Sequence, residues 1–530
     1  MQGRSVEILD TTLRDGAQAE GISFSVNDKF QIVETLVKLG VRYIEAGNPG
    51  SNPKDREFYS RFEAERPPMG NSLLAAFGPT RRKNSLVEED VGLKDLLDAK
   101  TPVIVLFGKV WDLEVRDILR CSQKENLAMI RESVAWCRSQ GREVIFDAEH
   151  YFEACADNPD YALSCLQAAC EGGALVVCLC DTNGATMPEV IADKTREVVS
   201  SLPSSVRVGI HCHNDAGLAV ANSLAAVLAG ACHVQGTLNG IGERCGNANL
   251  STIIANLHLK YNITCIPPQN LVKLTPLARR MAEISNLNLP NSEPYVGISA
   301  FSHKGGMHVD GVKKNPLTFE HVNPEVVGNT RRFLLSEISG RSAVLDIIRK
   351  VKPDIDRDAP EVGFVLQKLK EMEHQGFQYE GAEASLELLV CKELGLYRPF
   401  FTLEKLRIAS EQPRSGAYSA YSFIKIMVDG IGEVTAAEGE GPVNAMDRAL
   451  KKAMEVFYPE LTSVRLTDYK VRVIDSKATA SVVRTLIEST DGKHFWNTVG
   501  VSNDILEASW QALVDSLEYR LMRHQLGWEE

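Results

Sequence analysis

Short apolar, β-branched runs alternate with amphipathic helical stretches along the first half of the chain, and a polar loop separates each run from the helix after it. Side chains alternate faces along a strand, whereas a helical stripe returns every three or four residues, so the two patterns separate by period. The strand candidates are Val6 to Leu9, Tyr43 to Ala46, Leu73 to Phe77, Val103 to Phe107, Val144 to Phe146, Leu175 to Leu179, Val206 to His211 and His233 to Thr237. A helical stripe of Phe30, Val33, Leu36 and Val37 ends at Gly40, a C-terminal stop. Eight strands alternating with helices predict a parallel α/β architecture, either a closed barrel or a doubly wound sheet. Acids, hydroxyls and imidazoles follow the first, fifth, sixth, seventh and eighth strands, whereas a doubly wound sheet gathers such groups at one switch point. The expected fold is a (β/α)8 TIM barrel over residues 1–265.

The rhythm then changes to helices broken by Pro and Gly, including Leu271 to Met281 and Leu334 to Val351, and residues 266–384 read as helical linker subdomains. Gly305 to Gly311 lies in this region and reads as too polar and glycine-rich for a packed element. Residues 385–530 read as a third, α+β unit. In it, Ser422 to Val428 with Val434 to Ala437 and helix Val443 to Phe457 are echoed by Ala478 to Ile487 with Trp496 to Val499 and helix Ile505 to Leu521, which suggests a duplicated module. Each helix opens after a small, polar turn, Gly439 to Pro442 or Gly500 to Asp504, suited to ordinary capping or to holding a carboxylate.

Composition narrows the classes. With 530 residues the chain exceeds one ordinary core, and 44% apolar with 24% charged residues is the balance of a globular enzyme. No apolar run is long enough to span a bilayer and the first residues lack a signal-peptide core, so the expectation is a cytoplasmic protein with no membrane partner. The 12 cysteines are scattered without Cys-x-x-Cys blocks and read as reduced thiols. A formal net charge of −12 argues against a general nucleic-acid binder. Local positive charge must hold any anionic substrate.

Candidate chemistry collects where strands end. His211 and His213 flank Cys212 after the apolar run Val206 to Ile210, so both imidazoles share one face and Cys212 takes the other. That pair is a metal chelate or, equally, two satisfied polar residues at a strand end. Asp-Thr-Thr-Leu-Arg-Asp-Gly at 10–16, Asp147-Ala-Glu149 and Cys-Asp-Thr-Asn-Gly at 180–184 favour the chelate, because each also follows an apolar run.

Three segments carry a resemblance. Asp-Thr-Thr-Leu-Arg-Asp-Gly-Ala-Gln at 10–18, His-Cys-His-Asn-Asp-Ala-Gly-Leu-Ala-Val-Ala-Asn at 211–222 and Asn-Gly-Ile-Gly-Glu-Arg-Cys-Gly-Asn at 239–247 resemble the 2-isopropylmalate synthase and homocitrate synthase family. Within it, Asp147 to Phe152, Glu320 to Asn329 and Leu335 to Ser342 look most like the longer type of citramalate synthase. The match runs nearly end to end, and residues 385–530 look like the family's regulatory dimerisation domain.

The resemblance implies roles. Asp15, His211, His213 and Asn247 match the family's ligands for a divalent cation, and two nitrogens, a carboxylate and an amide oxygen suit Mn, Mg or Zn. Arg14 matches the arginine that lies against the 2-oxo acid, where its delocalised charge suits a developing alkoxide. A salt bridge to a neighbouring strand end is the alternative for Arg14. Thr182 matches a hydrogen-bonding partner of the substrate carboxylate, and Glu149 a catalytic glutamate near the thioester methyl group; for Glu149 the competing reading is a structural carboxylate paired with Arg14. His308 corresponds to the family's histidine in Gly-Ile-His, supplied from the segment after the barrel to the partner subunit's site. Phe319 stands where the family usually has tyrosine, and it cannot pass a proton.

The activity so implied is a Claisen-type condensation of acetyl-CoA, as co-substrate, with pyruvate, and hydrolysis to (R)-citramalate and CoA, entering a threonine-independent isoleucine pathway. The expected assembly is a homodimer with shared active sites and an isoleucine effector. Phe77, Leu106 and Asp147 are the expected pocket lining, and a pocket distinguishes one methylene by only about 1–3 kcal/mol, so 2-isopropylmalate or homocitrate synthesis stays open. A lyase on the same barrel is the alternative from another class.

Overall fold

A computed structural model describes residues 4–304, 306–333, 341–356, 359–410, 420–474 and 481–527. The chain divides into two compact units, Met1–Ser302 with Asn315–Arg332, and His303–Lys314 with Phe333–Glu530.

In the first unit eight parallel strands close into a barrel: β1 (Glu7–Asp10), β2 (Tyr43–Glu45), β3 (Leu73–Pro79), β4 (Val103–Lys109), β5 (Glu143–Glu149), β6 (Val176–Asp181), β7 (Arg207–Cys212) and β8 (His233–Gly236). Closure comes from β1, which pairs Asp10 with Ile44 of β2 on one side and with Gly236 of β8 on the other. Alternation sorts the apolar side chains into two cores. Leu9, Tyr43, Ala75, Val103, Val105, Ile145 and Val176 fill the barrel interior. Ile8, Ile44, Ile104, Phe146, Val177 and Ile210 face outward against the helices. Leu106 belongs to that outer set, which corrects its expected place in the pocket lining; its neighbour Phe107 has the inward parity of Val103 and Val105 and stacks on Phe77 at 5.1 Å.

Strands β4 and β5 run further toward their C-termini than the apolar pattern predicts, because polar residues there continue the ladder while facing the barrel mouth. Lys109 pairs in register with Glu149 in this extension. Helix Val26–Leu39 follows β1; Ser25 and Asp28 form a reciprocal capping box, and Gly40 ends it at φ 91°. A continuous helix over Leu271 to Met281 is not what forms: a 3-10 turn, Pro268–Lys273, precedes helix Leu274–Ile284. Pro268 sits at the start of that turn, where its missing N–H costs nothing.

In the second unit the glycine-rich segment forms helix Gly306–Lys314, correcting the expectation of no element; Gly305 lies outside the described residues. Its packing is nonetheless sparse: Val312 is buried, whereas Met307 and His308 are exposed. Of the predicted helix Leu334 to Val351, Arg341–Val351 is helical; residues 334–340, with most of the Leu335 to Ser342 motif, lie outside the described residues.

The duplicated module is βββα. Strands β9 (Thr402–Ser410), β10 (Ala420–Val428) and β11 (Ile431–Gly439) form one antiparallel sheet followed by helix Pro442–Met454; β12 (Arg465–Val473), β13 (Val483–Thr490) and β14 (Phe495–Ser502) form the other, followed by helix Ile505–Gln525. The pattern reading omits β9 and β12, edge strands whose sequences TLEKLRIAS and RLTDYKVRV expose mixed charges instead of an apolar alternation. Residues 475–480, the start of the predicted Ala478 to Ile487 run, lie outside the described set. Asp504 caps the second helix by accepting from the Leu506 N–H at 2.8 Å. All twelve cysteines are free, and among the described residues no helix is long and apolar enough to cross a membrane.

Candidate active site

The site is assembled from what the strand ends present. The β7 alternation turns His211 and His213 to one face and buries Cys212 in the outer core. Asp15, in the turn after β1, completes a buried trio: its Oδ2 lies 3.7 Å from His211 Nε2 and 3.8 Å from His213 Nε2, and the two imidazole nitrogens are 3.4 Å apart. Two ligands about 2.1 Å from one cation at a tetrahedral angle lie about 3.4 Å apart, so these donors are spaced to share an ion. Burial would raise the Asp15 carboxyl, but Arg14, His211 and His213 outweigh it and hold it at about 2. Burial lowers His211 to about 4 against the pull of Asp15, which keeps its imidazole neutral.

Tautomers follow from the surroundings. Gln235 accepts at Oε1 from His211 Nδ1 at 3.0 Å while its Nε2 donates to Asp147 Oδ1 at 2.7 Å, so the amide places the proton on Nδ1 and leaves Nε2 bare as a ligand. Asn247 reaches the same place from the loop after β8, where an isolated antiparallel bridge joins it to His213. Its Nδ2 donates to Asp15 Oδ1 at 2.7 Å, and its Oδ1 is buried without a hydrogen-bond partner. Two glycines make the fit possible: a Cβ on Gly242 would lie 2.2 Å from Asn247 Nδ2, and Gly246, at φ 88°, would place one 2.2 Å from the Gly240 oxygen. An orphaned buried amide oxygen beside two imidazoles and a carboxylate is a donor set that fits a divalent cation.

Arg14 lies beside this trio. Its Nε donates to Glu45 Oε1 at 2.5 Å and its Nη1 to Asp15 Oδ2 at 3.0 Å, while its guanidinium carbon sits 3.8 Å over the Phe77 ring. The alternative of a salt bridge to a neighbouring strand is thus present, through Glu45 of β2, and it fixes the guanidinium rather than removing it from the site. Burial works against the Arg14 charge, but Glu45 and Asp15 outweigh it and raise its pKa. Asp147 is buried beside this group, and burial, with Glu45 adding repulsion, pushes it up to about 7.

The remaining expected residues are distributed. Glu149 ion-pairs with Lys109 at 2.6 Å, not with Arg14, which corrects its competing reading. Thr182 Oγ1 accepts from the His150 N–H at 2.8 Å, a backbone bond not foreseen for a substrate contact. Arg244 ties three loops of the rim by donating to both Asp215 oxygens and to the Thr182 carbonyl. His308 lies in the second unit, on helix Gly306–Lys314, and Phe319 is half exposed in the first. The sequence reading missed Glu45, Lys109 and Gln235; a lone polar residue late in an apolar run was the available signal for Glu45 and Lys109, whereas Gln235 stands in the polar run His233 to Thr237.

The sequence profile of the HMGL-like family matches residues 5–279, that of the homocitrate synthase post-HMGL domain-like family residues 295–376, and that of the LeuA allosteric (dimerisation) domain residues 380–521. An (R)-citramalate synthase of Aquifex aeolicus is 50% identical over 522 residues, 98% of each chain. One of Synechocystis is 47% identical, covering 98% of this chain and 96% of the other. A probable 2-isopropylmalate synthase of Methanopyrus kandleri is 33% identical, covering 98% and 99%.

Proposed function

The chain belongs to the HMGL-like family and, within it, to the (R)-citramalate synthases, and from that premise we propose a division of labour among its residues. The reaction is the condensation of acetyl-CoA with pyruvate and hydrolysis of the thioester to (R)-citramalate and CoA, and the enzyme is an acyltransferase. The observation that carries the assignment of residues is the buried convergence of Asp15, His211 and His213, with the Asn247 amide against Asp15 and its oxygen left without a partner.

These four residues hold one divalent cation, Mn, Mg or Zn, which when bound polarises the ketone of the oxo acid. Gln235 keeps His211 in the ligand tautomer. Arg14, locked by Glu45 and Phe77, directs positive charge at the oxygen that becomes an alkoxide, a task where one well-placed donor is worth roughly 3–4 kcal/mol. Thr182 offers its hydroxyl hydrogen to the substrate carboxylate while its oxygen accepts from His150. Glu149 stands at the mouth to take a proton from the thioester methyl group. His308 serves from the segment after the barrel, and with Phe319 in place of tyrosine either water serves in the phenol's place or the step does not need it. CoA release from acetyl-CoA with pyruvate, with (R)-citramalate as product, tests the assignment.

The segments at 266–384 contribute to the active site and residues 385–530 form the regulatory dimerisation domain; the profile matches at 295–376 and 380–521 support this division. The chain then forms a homodimer in which His308 completes the partner subunit's site. Two inactive variants, Asp15→Ala and His308→Ala, should regain partial activity on co-expression, since a mixed dimer assembles one site free of both substitutions. Differentially tagged heterodimers as inactive as either parent would place His308 in its own chain's site or out of the reaction.

The effector fitting this product is isoleucine. Titrating the intact enzyme with isoleucine should give binding heat and inhibition, and leucine neither, while deleting residues 385–530 should remove inhibition more than chemistry. Inhibition by leucine alone would point to the isopropylmalate reaction.

A further inference from the structure

The rim of the barrel carries a charged cluster of which the division of labour above uses only Glu149. Lys109 and Glu149 end β4 and β5 on the inward parity, directly paired in the parallel ladder. Lys109 Nζ contacts two carboxylates, Glu149 at 2.6 Å and Glu114 at 2.8 Å, and Glu114 comes from the short helix Asp112–Glu114 after β4. The ligand atoms of Glu114, Glu149 and His150 lie within 4.8 Å of one another, and all are largely shielded from solvent. Two carboxylates that close repel, and with no cation between them one takes up a proton.

We propose that Lys109 is a positioning residue for the condensation: by bridging Glu149 and Glu114 it fixes the Glu149 side chain against β4 and sets a positive charge between the two carboxylates. This rests on Glu149 being the proton acceptor. A cation here also answers a sequence oddity, a lysine at the inward end of an otherwise apolar strand. The charged and titratable groups facing Glu149 are Lys109 of β4, Glu114 of the following helix, His150 in the adjoining turn, and Cys180 of β6. His150 stands 3.8 Å from Glu114 and 3.7 Å from Glu153, whereas the 2.6 Å contact to Glu149 is made by Lys109. Cys180, a thiol held protonated at neutral pH by its surroundings, contributes no charge.

The test is the pH profile of kcat in three variants of the full-length enzyme. Lys109→Met should move the acidic limb upward by about one to two pH units, because the two neighbouring carboxylates then face each other without the cation that bridges them. KM for both substrates should hold. Lys109→Arg should retain the wild-type limb, and adding Glu114→Gln to Lys109→Met should bring the limb back down, a rescue that general loosening of the rim would not give. Should Lys109→Met fail to fold by circular dichroism, Glu114→Gln alone decides, since it leaves Lys109 to Glu149 and should move the limb down. An unmoved limb in Lys109→Met, or in Glu114→Gln where that variant decides, overturns the proposal, as does a raised KM for acetyl-CoA with an unmoved limb, which would make Lys109 a substrate contact. Glu149→Gln separates the two ideas: full activity there removes Glu149 as acceptor, whereas an inactive Glu149→Gln beside an unmoved Lys109→Met limb sinks the role of Lys109 alone.

Discussion

Alanine at Asp15, His211 or His213 should abolish turnover while leaving the barrel folded. The three side chains meet at the mouth, whereas closure depends on the β1 to β8 ladder from Glu7 with His233 to Asp10 with Gly236 and on the apolar cores, none of which uses them. Each substitution removes one donor from a buried set spaced 3.4 to 3.8 Å apart, and the remaining groups cannot close the gap. Metal content after dialysis should fall in step with activity, with the circular dichroism spectrum unchanged. A chelator should inactivate the wild type reversibly. Gln235→Leu should weaken metal retention by about 10- to 100-fold, because His211 loses the acceptor that fixes its tautomer. Full activity in thoroughly demetallated enzyme would end the assignment of these residues as ligands.

Arg14→Ala should lower kcat by about 10²- to 10³-fold, the cost of one donor aimed at a developing oxyanion. Arg14→Lys should rescue little of it. The guanidinium reaches Glu45 through Nε and Asp15 through Nη1 at once and lies flat on Phe77, a planar fit that an ammonium on a flexible stem does not reproduce. The loss should fall mainly on kcat, with pyruvate KM moving less. Wild-type kcat in either variant would return Arg14 to a structural bridge between β1 and β2.

The barrel was legible because eight short runs, most of them apolar, alternate with amphipathic helical stretches, and the imidazole pair because two histidines sit at alternate positions where one run ends. Parity was harder to read. Leu106 and Phe107 are equally apolar, and only the register with β3 and β5 tells that Phe107 turns inward. Glu45 was passed over because it stands within the predicted run Tyr43 to Ala46 with no motif around it, yet it is fully buried and holds Arg14. Strands β9 and β12 escaped because edge strands with mixed charges lack the alternation of a half-buried one. The segment after Gly305 forms a helix despite its glycines; each glycine costs about 1 kcal/mol relative to alanine, and Val312 supplies a buried anchor.

The most direct measurement is thiol release from acetyl-CoA with pyruvate, 2-oxobutyrate and 3-methyl-2-oxobutanoate as competing acceptors, compared by kcat/KM. Phe77 stacked on Phe107 and carrying Arg14 narrows one side of the mouth, so added methyl groups should be penalised. Pyruvate should lead, each further carbon costing about 10-fold or more, and its product should be (R)-citramalate. A higher kcat/KM for 3-methyl-2-oxobutanoate, or no thiol release with any of the three, would contradict the account.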